Sequence, residues 1–269
     1  MKATLFDING QKKAEIDLPK QFNEKIREDL IKRAVLSLQC KRRAPYGADP
    51  EAGQRASVMI SKRRRKYRGS YGHGISRTPR KILSRNGTRF FWVGAFAPNT
   101  VGGRRAHPPK AEKNQKEKIN DKERKKAIRS AISATTIKDM IKLRGHVVPE
   151  TVPIVIEDKF ESMEKAKEVK KVLESLKLNK ELERCLVKKV RAGKGKLRNR
   201  KYKTKTGPLI VVSKKCNLQA AGKNIPGVNI VNVASLNAEH LAPGTQPGRL
   251  AIWSQGAIEK LKQDKLFIK

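Results

Sequence analysis

The sequence predicts an α/β fold: a three-layer α/β/α body on a mostly parallel central sheet of about four strands, interrupted by a long, extended, basic internal loop. Three observations lead there. From Val152 onward, short apolar runs alternate with helix-period segments, and that alternation implies a parallel sheet with helices over its faces. The residues before Lys41 read as a hairpin followed by an amphipathic helix. Between them, Lys41 to Lys110 is a stretch of 70 residues with 18 Lys/Arg and two acids, Asp49 and Glu51. It also carries nine glycines, six prolines and almost no hydrophobic periodicity.

The elements follow in order. Thr4–Ile8 and Ala14–Leu18 flank Asn9-Gly10, a pair that tolerates positive φ and marks a hairpin. Phe22, Ile26, Leu30, Ala34 and Leu38 recur every four residues, one apolar helical stripe with Ile31 and Val35 beside it. The stripe stops at Cys40-Lys41-Arg42-Arg43, where Pro45, Gly47 and Pro50 break regular structure. Helix resumes between Lys113 and Leu143, with Ile128 and Ile132, then Ile137 and Ile141. Beyond it the spacing predicts strand Val152–Ile156, helix Met163–Leu178, strand Leu209–Val212, a short helix around Leu218–Ala221 and strand Val228–Val233. A turn at Leu241–Gly244, strand Leu250–Trp253 and a terminal helix Gln255–Gln263 complete the chain. No internal repeat is present.

If the helices on either side of the basic stretch pack on one sheet, both its ends leave one body. The expected organisation is a single globular domain, residues 1–42 and 111–269, with loop 43–110. Unstructured loops longer than about 15 residues are rare in compact domains unless functional or disordered. Ordering this one costs on the order of a hundred kcal/mol at about 1–2 kcal/mol per residue. A coreless cationic segment is expected to order against a polyanion, and RNA fits best.

Charge supports that partner. The chain of 269 residues has 63 Lys and Arg against 25 acids, a net charge of +38 and a pI near 10.5. Self-repulsion on this scale disfavours the compact state unless counter-charge is supplied, and a nucleic acid supplies it. The three cysteines, Cys40, Cys185 and Cys216, are far apart, which argues against a disulfide framework and for packed thiols in a reducing cytosol. They lack zinc-site spacing, and His73, His107, His146 and His240 do not supply it. The N-terminus shows no apolar signal region, and no apolar run approaches 18 residues, so no membrane partner is expected.

Phosphate and groove contact is expected from Arg63, Arg64, Arg65, Lys66, Arg68, Arg77, Arg80, Lys81, Arg85, Arg89, Arg104 and Arg105, with His107 an RNA or packing contact. The planar guanidinium fork engages two phosphate oxygens or stacks on a base, and the glycines let backbone approach RNA closely. Tyr71, Phe90, Phe91, Trp92 and Phe96 can stack on unpaired bases, or form a protein-only cluster that stiffens the loop; the sequence leaves both open. Lys194, Lys196, Arg198, Arg200, Lys201 and Lys203 alternate, which in an extended segment puts Lys194, Lys196, Arg198 and Arg200 on one side of a ribbon that tracks a backbone.

Enzyme chemistry finds no foothold. Gly193-x-Gly195 lacks the Lys-Ser/Thr of a phosphate loop and does not sit between strand and helix. No paired carboxylates, Ser-His-Asp set or metal cluster converges, so neither catalysis nor a cofactor is expected. Asp7, Asp17 and Glu157-Asp158 flank strands and read as surface or capping acids.

Four passages match a known family in order and spacing. They are Val101-Gly102-Gly103-Arg104-Arg105-Ala106-His107-Pro108-Pro109-Lys110 and Arg191-Ala192-Gly193-Lys194-Gly195-Lys196-Leu197-Arg198-Asn199-Arg200, then Lys223-Asn224-Ile225-Pro226-Gly227-Val228 and Leu241-Ala242-Pro243-Gly244-Thr245-Gln246-Pro247-Gly248-Arg249-Leu250. Across essentially the whole chain the sequence resembles large-subunit ribosomal protein four, in its archaeal form. One departure is that Arg68-Gly69-Ser70-Tyr71-Gly72-His73-Gly74 stands where family members commonly carry Gly-Thr-Gly-Arg. The resemblance implies a globular α/β/α domain on the solvent side of the large subunit of the cytoplasmic ribosome. It also implies a loop reaching into large-subunit (23S-type) rRNA, with its tip at the constriction of the nascent-peptide exit tunnel. Partners would be that rRNA, neighbouring large-subunit ribosomal proteins and the nascent peptide, with no homo-oligomer.

Overall fold

The structure is a computed structural model and describes residues 1–268. In chain order its elements begin with strands β1 (Lys2–Phe6) and β2 (Lys12–Asp17), helix α1 (Glu28–Lys41), and strands β3 (Arg80–Asn86) and β4 (Arg89–Gly94). Helices α2 (Asp121–Ala134) and α3 (Lys138–Leu143), strand β5 (Ile154–Ile156), and helices α4 (Ala166–Ser175) and α5 (Asn179–Leu186) follow. Then come β6 (Lys189–Val190), β7 (Tyr202–Lys203), β8 (Leu209–Val212), α6 (Leu218–Gly222), β9 (Asn229–Asn232), α7 (Ala238–Leu241), β10 (Ala251–Ser254) and α8 (Gln255–Gln263). By backbone proximity the chain falls into two compact units, Met1–Arg42 with Lys116–Lys269, and Arg43–Gln115.

The first unit is built on a six-stranded sheet in the order β2-β1-β5-β10-β8-β9. Only the β1–β2 pair is antiparallel; every other neighbour pair is parallel. The sequence led us to expect about four strands. The N-terminal hairpin adds the other two, because β1 pairs in parallel with β5, Leu5 opposite Val155 and Phe6 opposite Ile156.

Strand alternation sorts the core into two layers. Leu209 and Val211 of β8, with Trp253 of β10 and Val155 of β5, face Ile31, Ala34 and Val35 of α1, Ala127, Ile128, Ala131 and Ile132 of α2, and Ile258 and Leu261 of α8. Ile210 and Val212, with Ile252, Ile154 and Ile156, face Val169, Val172 and Leu173 of α4, Leu182 of α5 and Leu218 of α6. Helices therefore cover both faces. At the centre of the first layer Trp253, fully buried, meets Phe22 edge to face at 5.0 Å. Phe22 itself lies in a short 3-10 turn, Lys20–Asn23, ahead of α1, so the expected single helix from Phe22 to Leu38 is two elements. The buried face of α1 centres on Ile31, Ala34 and Val35, while Leu30 and Leu38 are half-buried.

Polar side chains fix the edges of this unit. Glu157 is buried and accepts from Lys13 Nζ at 3.0 Å, which corrects its reading as a surface acid; Asp158 accepts from the Gly256 N–H at the start of α8 at 2.6 Å. Glu181, which was not singled out from the sequence, is fully buried in α5. Its carboxylate accepts from the Val147 N–H at 3.0 Å and from Arg184 Nε and Nη2 at 2.8 and 2.6 Å, and meets His146 Nδ1 at 2.6 Å. Arg184 Nη2 also donates to the Thr206 carbonyl at 2.7 Å, tying α5 to the root of the basic segment 188–205. Arg249 is buried and donates to the carbonyls of Gly207 and His240, each at 2.9 Å, and to Asn229 Oδ1 at 2.6 Å. Burial pulls its pKa down to about 10, so it remains a cation at neutral pH.

Burial of Glu181 opposes its ionisation, but the hydrogen bonds from Arg184, His146 and Val147 outweigh burial and hold its pKa at about 2, against an ordinary 4.5. The folded state thus favours the carboxylate. Its contribution is complete above the unfolded-state value and disappears as pH falls through about 2, a loss on the order of 3 kcal/mol. Urea midpoints measured from pH 5 to 2 should fall over this window, and Glu181→Gln should flatten the dependence. Just past α4 and its C-cap Leu176, Lys177 takes a left-handed φ of 61° while the Leu178 N–H bonds the Leu173 carbonyl at 3.1 Å. A side chain there costs about 1–2 kcal/mol, and glycine adds back about 0.4–1 kcal/mol of unfolded-chain entropy. Lys177→Gly should raise stability by roughly 0.5–1 kcal/mol; a lowered denaturation midpoint would show that position 177 is unstrained.

Candidate nucleic-acid interface

Among the described residues of Arg43–Gln115 the one buried apolar side chain is Ala95, in keeping with the expected lack of a core, yet the segment carries regular structure and contacts of its own, which corrects the expectation that it orders only against a polyanion. Gly87-Thr88 turns the chain so that β3 and β4 pair antiparallel, Arg80 opposite Gly94 and Asn86 opposite Arg89. Gly87 takes φ +54° at the first turn position, which suits the twist of a two-residue hairpin loop. Elsewhere this unit packs on itself: the Ala48 N–H donates to the Pro109 carbonyl at 2.9 Å, and a Cβ on Gly103 would lie 2.1 Å from the Ala97 carbonyl oxygen. At Gly103, then, the absent side chain admits the protein's own backbone, where RNA was expected.

The hairpin sets the aromatics. Phe90 and Trp92 project from one face of β4 with ring centroids 5.3 Å apart, and Tyr67 meets Phe90 edge to face at 5.2 Å. Phe91 projects from the opposite face, exposed, beneath the Arg89 guanidinium at 5.5 Å. Three further guanidinium groups lie over rings: Arg68 over Tyr67 at 5.8 Å, Arg77 over Tyr71 at 5.7 Å and Arg104 over Phe96 at 6.0 Å. Arg77 also donates to Tyr71 Oη at 3.3 Å, Arg85 to Tyr67 Oη at 3.2 Å, and Arg80 to Ser76 Oγ at 2.9 Å. These six arginines are oriented by the protein itself. Arg63, Arg64, Arg65, Lys66, Lys81, Arg105 and His107 are exposed.

Asp49 and Glu51 both pair with Arg55. Among the described residues, no carboxylate forms an ion pair with any of the cations from Lys62 to Arg105. Arg65 and Arg68 hold left-handed φ of 54° and 60°, a conformation that L-residues adopt at a cost and that concentrates at binding sites. Tyr67, between them, was missed from the sequence; an aromatic directly between Lys66 and Arg68 was the available signal.

In the first unit, Lys189–Val190 pairs antiparallel with Tyr202–Lys203, and Arg191 Nε donates to the Arg200 carbonyl at 3.1 Å. Lys194, Lys196, Arg198, Arg200, Lys201 and Lys203 are all exposed. They do not form one extended row. Lys196–Arg198 is a 3-10 turn and Asn199 is left-handed at φ 58°, so the alternation in sequence is broken at the tip of the ribbon. Lys201 Nζ lies over the Tyr202 ring at 5.6 Å.

At the carboxyl ends of the parallel strands, where open α/β sheets hold nucleotides, the structure places a carboxylate with internal hydrogen bonds. Glu161 accepts from the Ser213 N–H at 2.6 Å, Ser213 Oγ at 2.7 Å and Ser254 Oγ at 2.6 Å, across the ends of β8 and β10. Cys40 and Cys185 are buried and Cys216 half-buried, all free thiols. Burial pushes the Cys185 and Cys216 thiols up, away from the reactive thiolate. Among the described residues no group of His, Cys, Asp and Glu has the arrangement of a metal site, and no helix is long and apolar enough to cross a membrane.

Comparison with known proteins agrees with the resemblance seen in the sequence. The protein named large ribosomal subunit protein uL4 in Nanoarchaeum equitans is 52% identical over 268 residues, covering 99% of this chain and 100% of that one. Proteins of the same name from Methanocaldococcus jannaschii and Archaeoglobus fulgidus are 46% and 42% identical, over 98% and 97% of this chain and 99% and 98% of their own lengths. Residues 16–264 match the Ribosomal protein L4/L1 family, a family of structural ribosomal proteins and not of enzymes. The chain belongs to the Ribosomal protein L4/L1 family.

Proposed function

We propose that the chain is a structural component of the large ribosomal subunit in the cytoplasmic ribosome, and that it works by binding large-subunit rRNA. Loop 43–110 is the principal RNA-binding element and the ribbon 194–203 a second. Neighbouring large-subunit proteins flank it there as a single copy, not a homo-oligomer. The observation that carries this reading is the row of cations from Lys62 to Arg105 with no carboxylate partner among the described residues. Phosphates supply the missing counter-charge, and the guanidinium–aromatic pairs present forks already oriented, so less side-chain freedom is lost on binding. RNA recognised in this way is read by shape, backbone and exposed bases.

The finer part of the reading places the end of the loop, with the exposed rings of Tyr71 and Phe91, in the wall of the nascent-peptide exit tunnel. A photo-reactive group substituted at either position, in assembled subunits carrying a stalled nascent chain, should crosslink to that chain. Crosslinks to rRNA alone from both positions would overturn the tunnel assignment while leaving RNA binding intact.

Affinity for a large-subunit rRNA fragment should fall steeply with salt. Replacing Arg63, Arg64 and Arg65 together by Ala should reduce the slope of log K against log salt by about 2, since each phosphate neutralised contributes roughly 0.7–0.9. An unchanged slope in a filter-binding titration would mean that these side chains do not meet phosphate.

A further inference from the structure

The aromatic ladder borders a cleft. It measures about 580 Å³, within the roughly 300–1,000 Å³ usual for a small-ligand site. Tyr67, Phe90 and Trp92 form its apolar wall, Arg65 and Arg68 its cationic rim, and His73 sits beside them. Trp92 ends the ladder: among the described residues its ring meets one other ring, that of Phe90. Arg68 Nε is buried and has no hydrogen-bond partner among the described residues. A buried donor left unpaired costs more than the net value of a typical hydrogen bond, so it marks where a partner is missing.

We infer that this cleft receives one unpaired RNA nucleotide, its base extruded from the helix and stacked on Trp92. Arg65 and Arg68 meet its flanking phosphates, and Arg68 Nε and His73 meet polar atoms of the nucleotide. The inference rests on the rRNA-binding reading above and adds to it a discrete base-binding site. A protein-only stack would account for the Tyr67–Phe90–Trp92 contacts. It does not account for a cleft left open beside them, with an unpaired Arg68 donor and unneutralised cations along its lining. Double-stranded RNA alone does not fill such a cleft, because its bases are stacked and paired; an aromatic wall suits a base that is neither.

The chain offers its own probe. It has two tryptophans, and Trp253 is fully buried in the sheet's core, so emission changes on RNA binding report Trp92. The full-length protein would be titrated with three RNA duplexes: fully paired, with a single bulged adenosine, and with an abasic bulge at the same place. The bulged adenosine should quench tryptophan emission and bind about tenfold more tightly than either of the others, within the range that one stacked base supplies. Trp92→Ala should abolish the tenfold preference for the bulged adenosine over the abasic bulge, and Tyr67→Ala, a second variant outside the sheet's core, should weaken it. Circular dichroism would check that both remain folded.

Equal affinity for the adenosine and abasic bulges, or a preference that survives Trp92→Ala, overturns the inference and leaves the RNA-binding reading standing. If none of the three duplexes binds, and a large-subunit rRNA fragment fails as well, both fall together.

Discussion

With 25 carboxylates against 63 Lys and Arg, the position of each acid decides which cations are left for a partner. The first unit uses several of its acids internally. Glu161 ties together the ends of β8 and β10, Glu157 holds Lys13, Glu24 pairs with Arg129 at 2.7 Å, and Glu181 gathers α5, the 146–147 turn and, through Arg184, Thr206. In the second unit Asp49 and Glu51 converge on Arg55. The ribbon from Lys188 to Lys205 contains no acid at all. Charge that would otherwise be neutralised along the chain is thereby segregated onto two surfaces. Repulsion within each surface disfavours the isolated protein and is relieved when phosphates arrive.

Local pattern carried the fold far, and its failures have physical causes. The terminal helix Gln255–Gln263 and strand Leu209–Val212 appear with the ends expected, because apolar period and flanking turn residues agree there. The pairing of β1 with β5 joins residues about 150 positions apart in sequence, and no local signal encodes it. Helix α5 was passed over although Leu178, Leu182 and Cys185 repeat at helical spacing, because it is short and immediately follows α4. The hairpin β3–β4 was passed over for another reason. Asn86-Gly87 leads into its turn, as Asn9-Gly10 marks the first hairpin, but here the flanking strands interleave Arg and Lys with their aromatics. The period-2 signal was read as charge.

For the candidate interface, residue type was legible and arrangement was not. That Arg63–Lys66 and Lys194–Lys203 are exposed follows from their charge, since unpaired cations are almost never buried. Which arginines sit over which rings depends on a hairpin register, as with Arg89 over Phe91 on one face of β4 while Phe90 and Trp92 share the other. Arg249 shows the converse. Its place in a motif beside Gly248 gave no hint that the guanidinium is an interior brace holding three segments by their polar atoms.

The packing of the loop changes the energetics of the function proposed for it. A chain of this length without internal contacts would lose on the order of a hundred kcal/mol of conformational freedom on ordering, all of it to be offset by the partner. A hairpin, an aromatic ladder and backbone contacts such as Ala48 with Pro109 remove part of that cost before RNA is met. What remains is divided between two kinds of cation. Arginines already held over rings or by hydroxyls give up little further freedom and contribute direction; the unrestrained Arg63–Lys66 run gives up more and contributes counterion release. Both kinds release counterions on meeting phosphate and so depend on salt; the first adds a geometric preference that salt does not remove. A protein that must both find a polyanion in a crowded cell and fix one defined arrangement of it needs both kinds, and the scarcity of acids makes both available on one segment.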